Sequence, residues 1–411
     1  MNRKRKIVLS CVITLVLLAS LGLGCGGESS GEGTTIVLGY ITDVTGPAGP
    51  GLKYLNWGLE DQVKYINEEN LIPGVTLKLN TFDTKYDPSR AINGYEFLKG
   101  RGAKVIFNVE STSAETLKSR FELDQIPAFA VTCTEAQIDP PGWIFNVHAP
   151  QNYCTGVLAK FVEDEDWTGY PTKPKMGFFG WRTAENQSQE QGYREYCQAN
   201  PDKFEWVDSC FAPQGTMAWA GEVDVLKDCD YIYMSAAGLA PAIFVDEYRA
   251  RGYDATFLGA DGAATFLGLY VDRAGWDAID GTLSVHHWAW WTYDSPLVDL
   301  AKELLERYHP NEAEAAISMG IGYIGGFSQW HLGLEILQAA IEDVGAENFD
   351  GTAFYNTAKT YTTQWEGYEE MGFTETKRYT PEYVDIWEWS AAEGDLVRVS
   401  DGWLPIISDI T

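Results

Sequence analysis

The strongest constraint on the fold is an alternation of short apolar strands with amphipathic helices that begins near Thr35. Residues 36–40 form an apolar run typical of a strand, and residues 55–69 carry apolar side chains at the three- and four-residue spacing of a helix. The same rhythm continues with helices at 89–100 and 114–123 and with strands at 75–83, 105–109, 128–132 and 144–147. This order predicts a parallel sheet with helices on both faces.

A second run of the same rhythm begins near Tyr153. It predicts helices at 153–163, 189–198, 222–226, 240–251, 297–308 and 324–341, strands at 175–179, 204–210, 231–234 and 256–259, an aromatic strand after Leu283 and short strands over 380–403. About 380 residues exceed a single hydrophobic core. The sequence therefore predicts an α/β chain with two doubly wound parallel-sheet lobes that are joined by a hinge of several crossovers. One lobe comprises residues 35–151 plus about 287–365, and the other comprises 152–286 plus about 366–411.

The N-terminal segment has the layout of a secretory signal peptide over residues 1–24. A cationic start at residues 3–6 precedes an apolar stretch that ends at Gly24-Cys25, and a Ser/Gly/Glu tract follows. A small residue directly before a cysteine resembles a bacterial lipobox, which predicts lipidation of Cys25, a flexible tether over 25–34 and membrane attachment outside the cytoplasm. The alternative is an uncleaved transmembrane anchor, which requires about 20 apolar residues.

The net charge makes nucleic acid an improbable partner. Removal of residues 1–24 takes four basic residues and no acids from the chain, which leaves 26 Lys and Arg against 59 Asp and Glu, a net charge of −33. Such a surface repels phosphate backbones and anionic lipid headgroups. Any membrane contact is therefore expected to come from a lipid anchor rather than from surface charge.

Five cysteines remain beyond the anchor: Cys133, Cys154, Cys197, Cys210 and Cys229. In an exported protein they predict up to two disulfides, with one bridge expected within the last three, although the sequence does not fix the pairing. None of them has zinc-type spacing, and no metal or cofactor is predicted.

Ligands of parallel α/β sheets bind beyond the carboxyl ends of the strands, so the strand-to-helix turns are the candidate binding segments. Four turns carry polar groups: residues 42–47, 108–113, 131–134 and 258–262. Hydroxyls and free backbone N–H groups at a helix start favour a carboxylate, and Asp261 on the opposite half could hold an ammonium group. The alternative is that Ser111 and Thr134 are ordinary helix caps and Asp261 is a turn residue.

Taken together, these turns resemble the family of branched-chain-amino-acid-type solute-binding proteins of ABC importers, the type I periplasmic binding proteins. The resemblance extends from about Thr35 to Trp403. It rests on the order of several short landmarks, namely Thr45-Gly46-Pro47, Tyr65-Ile66-Asn67, Phe82-Asp83, Tyr86-Asp87-Pro88, the turn at 111–113, Leu258-Gly259-Ala260-Asp261 and the long helix entered by Gly322-Tyr323.

The resemblance implies a set of ligand contacts. The turns that contain Ser111, Thr112, Thr132 and Thr134 would hold the carboxylate and amino groups of the ligand from the first lobe. Asp261 would contact the amino group from the second lobe. Delivery of the ligand by a monomeric protein to an ABC importer permease would follow.

Other positions depart from the family pattern. Two pocket aromatics of the leucine/isoleucine/valine binders fall at Glu185 and Ala237, and a cysteine falls at Glu110. Tyr54 lies near a further pocket aromatic. These departures predict a ligand that is more polar or more cationic than leucine.

Enzymatic chemistry finds little support in the sequence. A zinc-protease helix and a phosphate-binding loop are missing, and neither a nucleophile elbow nor a dinucleotide fingerprint follows a predicted strand. Adjacent strand residues point to opposite faces, so His286 and His287 are not expected to share a metal. Trp288, Trp290 and Trp291 are expected to pack in a core or between the lobes rather than on a ligand. Two other interpretations remain open: a ligand-sensing lobe of a receptor or kinase, and a degenerate enzyme.

Overall fold

Strands and helices alternate throughout the region that the computed structural model describes, residues 33–409. The predicted signal peptide, the lipidation site Cys25 and all but the end of the predicted tether lie outside the described residues. The first strand begins at Thr34.

The first part of the described chain gives five strands and their helices. They are β1 (Thr34–Thr42), α1 (Gly49–Glu68), β2 (Val75–Asp83), α2 (Ala91–Gly100), β3 (Val105–Asn108), α3 (Ser111–Asp124), β4 (Ala128–Ala130), α4 (Glu135–Ile138), β5 (Ile144–Asn146) and α5 (Gln151–Phe161). The strands pair in the order β2-β1-β3-β4-β5, and every pairing is parallel.

The next part builds a second sheet. Its elements are β6 (Lys175–Trp181), α6 (Ala184–Ala199), β7 (Glu205–Ala212), α7 (Ala220–Leu226), β8 (Tyr231–Ser235), α8 (Ala240–Ala250), β9 (Thr256–Ala260), α9 (Asp261–Ala264), α10 (Leu267–Ala274), α11 (Trp276–Ile279) and β10 (Thr282–His286).

The remaining elements are mainly helices, followed by a strand-rich tail. They are α12 (Pro296–Tyr308), α13 (Ala313–Met319), α14 (Gly322–Val344), α15 (Gly351–Ala358), β11 (Thr362–Thr363), β12 (Met371–Gly372), β13 (Tyr383–Ser390), β14 (Asp395–Arg398) and β15 (Leu404–Pro405). None of the helices in residues 33–409 is long and apolar enough to cross a membrane.

The tail completes the second sheet, whose order is β14-β13-β10-β9-β8-β6-β7. Strands β6 to β10 pair in parallel, whereas β13 pairs antiparallel to both β10 and β14. The predicted α/β class with two parallel sheets is confirmed, with an antiparallel edge contributed by the tail.

The chain also returns to the first sheet through α14, which packs against α1. The two helices approach closely, because a Cβ at Gly58 would lie 2.7 Å from the backbone nitrogen of Phe327. Trp330 of α14 contacts Tyr40 and Phe107 of the sheet edge-on. The long helix predicted at 324–341 therefore covers one face of the first sheet.

The disulfide prediction is wrong for the structure as it stands, because Cys133, Cys154, Cys197, Cys210 and Cys229 are all free thiols. Cys133, Cys154, Cys197 and Cys229 are buried, and packing rather than cross-linking accounts for their positions.

The aromatic strand predicted after Leu283 is shorter than expected. Strand β10 ends at His286, so Trp288, Trp290 and Trp291 follow it in a loop. All three indoles are nevertheless buried, and Trp291 Nε1 donates to Gly320 O at 3.0 Å. They pack in the core, as the sequence analysis predicted.

Candidate functional site

A cavity of about 90 Å³ lies where the carboxyl ends of the two sheets face each other. Its walls come from the first turns of α1, the loops after β2 to β5, the starts of α6 and α9, the end of β8 and the first turns of α14. The strand-to-helix turns thus meet at one place, as the parallel topology requires.

Asp261 is the first residue of α9 and lines this cavity. It is buried, and its carboxylate accepts hydrogen bonds from His287, from the backbone N–H at 3.2 Å and from Nδ1 at 2.7 Å. Burial alone would raise the pKa of Asp261, but the hydrogen bond and charge of His287 outweigh burial and lower the pKa to about 2. The carboxylate therefore stays ionised.

His287 is the partner that fixes this carboxylate. It is fully buried, and its other ring nitrogen, Nε2, lies 3.1 Å from Cys154 Sγ. Burial opposes protonation of the ring, but the interactions with Cys154 and Asp261 outweigh it and raise the pKa of His287 to about 10. Asp261, which lines the cavity, and His287, which lies behind it, therefore form a buried ion pair.

Glu185 also lines the cavity, from the first turn of α6. Its Oε1 lies 3.8 Å from the point that a Cβ on Gly262 would occupy, which places the carboxylate over the turn that carries Asp261. Burial and the charge of Asp261 raise the pKa of Glu185 to about 7. The two carboxyl groups therefore differ in pKa, because Asp261 has a cationic partner and Glu185 has none among the residues that the structure describes.

Ser111 and Thr112 do not line the cavity but join the two sheets across it. Ser111 Oγ accepts from the backbone N–H of Glu185 at 3.1 Å, and Thr112 Oγ1 accepts from that of Ala184 at 3.2 Å. The hydroxyls at the start of α3 thus satisfy the free N–H groups at the start of α6. These two bonds link the first sheet to the second at the edge of the cavity.

Glu110 precedes α3 and is buried behind these hydroxyls. Its carboxylate accepts from Ser113 Oγ at 2.6 Å and from the hydroxyl of Thr84. Burial raises the pKa of Glu110. This side chain organises the turn after β3 and lies outside the lining of the cavity.

Thr132 and Thr134 occupy the turn after β4. Thr132 lines the cavity and donates its hydroxyl to Val109 O at 3.2 Å, whereas the hydroxyl of Thr134 donates to Glu115 away from the cavity. Ala237 lines the cavity beyond β8, and Tyr54 of α1 packs edge-on against Trp57 outside it. Of the nine predicted ligand-binding positions, Thr132, Glu185, Ala237 and Asp261 line the cavity.

Several lining residues have no signal in the sequence. His148 follows β5, and Gln329 lies on α14 with its Nε2 3.1 Å from His148 Nε2. Asn186 donates to Ser235 O at 2.6 Å, and Gln189 donates to Gln151 Oε1 at 2.9 Å. These amides hold the cavity wall together, and only tertiary packing brings them to one place.

A metal-capable group lies at the cavity floor. Ligand atoms of His148, Asp261 and His287 lie within 4.8 Å of one another. The two imidazole rings, however, stack at 4.3 Å with an interplanar angle of 10°. A metal must lie near the plane of each ligating ring, so the stacked rings of His148 and His287 do not offer a preformed metal site.

The family comparison agrees with this geometry. The sequence model of a family described as periplasmic binding protein matches residues 35–391. No curated protein matches the chain.

Solved structures share the fold. A branched-chain amino acid ABC transporter protein from Thermus thermophilus with bound valine has a TM-score of 0.78 at 19% identity, over 92% of this chain and 98% of that one. A fatty acid ABC transporter substrate-binding protein from Thermomonospora curvata has a TM-score of 0.76 at 18% identity, over 92% and 93%. A benzoate-bound solute-binding protein from R. palustris has a TM-score of 0.74 at 14% identity, over 91% and 98%.

The family model spans nearly the whole described chain, including the first sheet, the second sheet up to β13 and the turns that line the cavity. The chain therefore belongs to the periplasmic binding protein family.

Proposed function

We propose that this protein captures a small polar solute with an amino group between its two sheets and delivers it to an ABC importer, without chemical turnover. The observation that carries the proposal is the cavity at the carboxyl ends of both sheets, with Asp261 and Glu185 in its lining. Similar structures are named for transport of branched-chain amino acids and fatty acids, and one holds benzoate. We infer that the solute carries an amino group because these two carboxyl side chains line the cavity.

We propose that two lobes move relative to each other to admit the solute to the cavity. We propose residues 35–151 plus about 287–365 as one lobe and 152–286 plus about 366–411 as the other. The composition of the sheets supports this division, since the tail strands β13 and β14 extend the second sheet and α14 packs on the first. The hydrogen bonds from Ala184 and Glu185 to the hydroxyls of α3 would break on opening.

Solute capture is tested with a panel of small compounds. The protein is unfolded and refolded to remove bound solute and is then screened by thermal shift and titration calorimetry. The panel holds the amino acids, acetamide, urea, hexanoate, benzoate and butane-1,4-diamine. We expect at least one compound to raise Tm and to bind with a one-to-one stoichiometry. A panel that fails throughout, with correctly refolded protein, would count against solute capture.

We also propose that Cys25 anchors the protein to the outer side of a membrane. The basic start, the apolar stretch and the Gly24-Cys25 junction support this assignment. Cys25→Ser is expected to move the protein from the membrane pellet to the soluble fraction, since one residue would carry the lipid. Retention in the pellet would instead favour an uncleaved helix. Cys210→Ser, which changes a thiol far from the junction, serves as the control.

A further inference from the structure

We propose that the cavity selects a small organic cation without a carboxylate, such as an amine, amidine or guanidine, and holds it between Glu185 and Asp261. This inference rests on the proposed capture function and narrows its ligand class. Amino acids, which carry a carboxylate, would then be poor ligands.

The wall of the cavity is acidic. Two carboxylates line the cavity, and none of the described lining residues is a lysine or arginine. Glu185 lies over the turn of Asp261, so the two acids repel each other in the empty cavity. A cation between them would relieve this repulsion in surroundings of low dielectric constant.

The neighbouring histidines do not reverse this charge. His148 lines the cavity, but burial and the charge of His287 lower its pKa to about 3, so the ring is neutral. His287 is charged, yet it lies behind Asp261 and outside the lining, with its two ring nitrogens directed to Asp261 and Cys154. An anionic group in the cavity would therefore meet two acids and no available cation.

The helix start that the sequence predicts as a carboxylate site, that of α3, does not line the cavity. The amino end of a helix attracts negative charge, and α3 begins beside the cavity. Its first two hydroxyls accept the N–H groups of Ala184 and Glu185, and the buried carboxylate of Glu110 lies directly behind them. A ligand carboxylate at this helix start would have to displace the backbone of α6, which is bonded there.

The proposal predicts the sign of a pH effect. Glu185 interacts with Asp261, Tyr86 and Tyr233, and burial keeps both phenols neutral by raising their pKa. Asp261 in turn interacts with His287, His286 and His148. Because the pKa of Glu185 is raised to about 7, its carboxylate is mostly neutral at pH 6 and mostly ionised at pH 8. Affinity for a permanent cation should therefore rise by up to about tenfold between these pH values, whereas affinity for an anion should fall.

Two isosteric series separate charge from shape. Acetamidinium, acetamide and acetate differ mainly in charge, as do benzamidinium, benzamide and benzoate. Titration calorimetry of the wild-type protein at pH 6 and pH 8 should give the order cation, amide, anion in each series that fits. Equal or tighter binding of the anions, or of zwitterionic amino acids, would overturn the cation preference while leaving solute capture intact. Failure of every compound in both screens would remove both proposals.

Glu185→Gln provides the matched variant, because it keeps the shape of the side chain and removes its charge. It should weaken amidinium binding by roughly ten- to a hundredfold, abolish the pH dependence and leave amide binding nearly unchanged. Glu195→Gln removes the same charge from an exposed position of α6 and should bind like the wild type. An amidinium affinity that is unaffected by Glu185→Gln would contradict the proposal, and the pH profile of the wild type tests it without any variant.

Discussion

Asp261→Ala is expected to lower the free energy of unfolding by about 3–5 kcal/mol, because it leaves the buried imidazolium of His287 without its carboxylate. The pair is closely joined, with Nδ1 2.7 Å from the carboxylate and a second bond from the backbone N–H of His287. Asp261→Asn keeps an acceptor and loses the charge, so a smaller cost of about 1.5–3 kcal/mol is expected. Urea unfolding monitored by circular dichroism measures both.

The difference in unfolding free energy between the wild type and Asp261→Asn should depend on pH, and the two pKa shifts fix the direction. The pKa of Asp261 falls from 3.8 to about 2 on folding, so its contribution is present above pH 3.8 and is lost as the pH falls towards 2. The pKa of His287 rises from 6.5 to about 10, so its contribution is complete below pH 6.5 and is lost as the pH rises towards 10. The stability difference between wild type and Asp261→Asn should therefore be largest between about pH 4 and 6.5.

A double-mutant cycle with His287→Gln separates the free energy of the ion pair from other destabilising effects of the substitutions. If the charges depend on each other, Asp261→Asn combined with His287→Gln should cost less than the sum of the single changes, because neither charge then remains buried alone. Additive costs at every pH would contradict a mutual ion pair. Both Asp261 variants should also weaken amidinium binding, since Asp261 lines the cavity as well.

Gly238→Ala is expected to hold the cleft open and to lower affinity for bound solute by tenfold or more. Gly238 lies between β8 and α8, and a Cβ there would be 2.2 Å from the carbonyl oxygen of Pro47, which belongs to the turn after β1. The side chain would therefore push apart two turns that come from opposite sheets. Calorimetry measures the affinity, and solution scattering should show a larger radius of gyration.

Gly215→Ala is the matched control for this prediction. Gly215 and Gly238 both have positive φ, +86° and +64°, so alanine costs about 1–2 kcal/mol of backbone strain at either position. A Cβ on Gly215 would have no neighbour within 4 Å. Equal loss of affinity in both variants would show that backbone strain, and not separation of the turns, is responsible.

The positions of the turns could be predicted from the sequence because the period of the apolar residues locates the ends of the strands. The strands predicted at 128–132 and 256–259 illustrate this. Each is followed by a turn that was predicted as a binding segment, and Thr132 and Asp261 from these turns line the same cavity although they belong to different sheets. The first residue of α3 was harder to predict. A run of three hydroxyl residues favours Ser111 as the N-cap, whereas in the structure Glu110 is the N-cap and Ser111 is the first residue of the helix.

The partners of the site residues could not be predicted, because they come from distant parts of the chain. The sequence gives no sign that Asp261 has a partner. In the structure, His287, which lies 26 residues further along the chain, donates a hydrogen bond to its carboxylate. The adjacent histidines do have different partners, since His286, the last residue of β10, contacts Ser284, whereas His287, just beyond the strand, contacts Asp261. Ser111 and Thr112 carry the chemistry of an anion site, but the fold directs their hydroxyls to α6.

Solution X-ray scattering of the wild-type protein tests the central claim, capture by closure of two lobes, most directly. The refolded, solute-free protein is compared with the same protein saturated with the compound that binds most tightly in calorimetry. Closure brings Ser111 within hydrogen-bonding distance of Glu185 across the cleft, so we predict that the radius of gyration falls when the solute is added. An unchanged scattering curve at saturation would contradict the account.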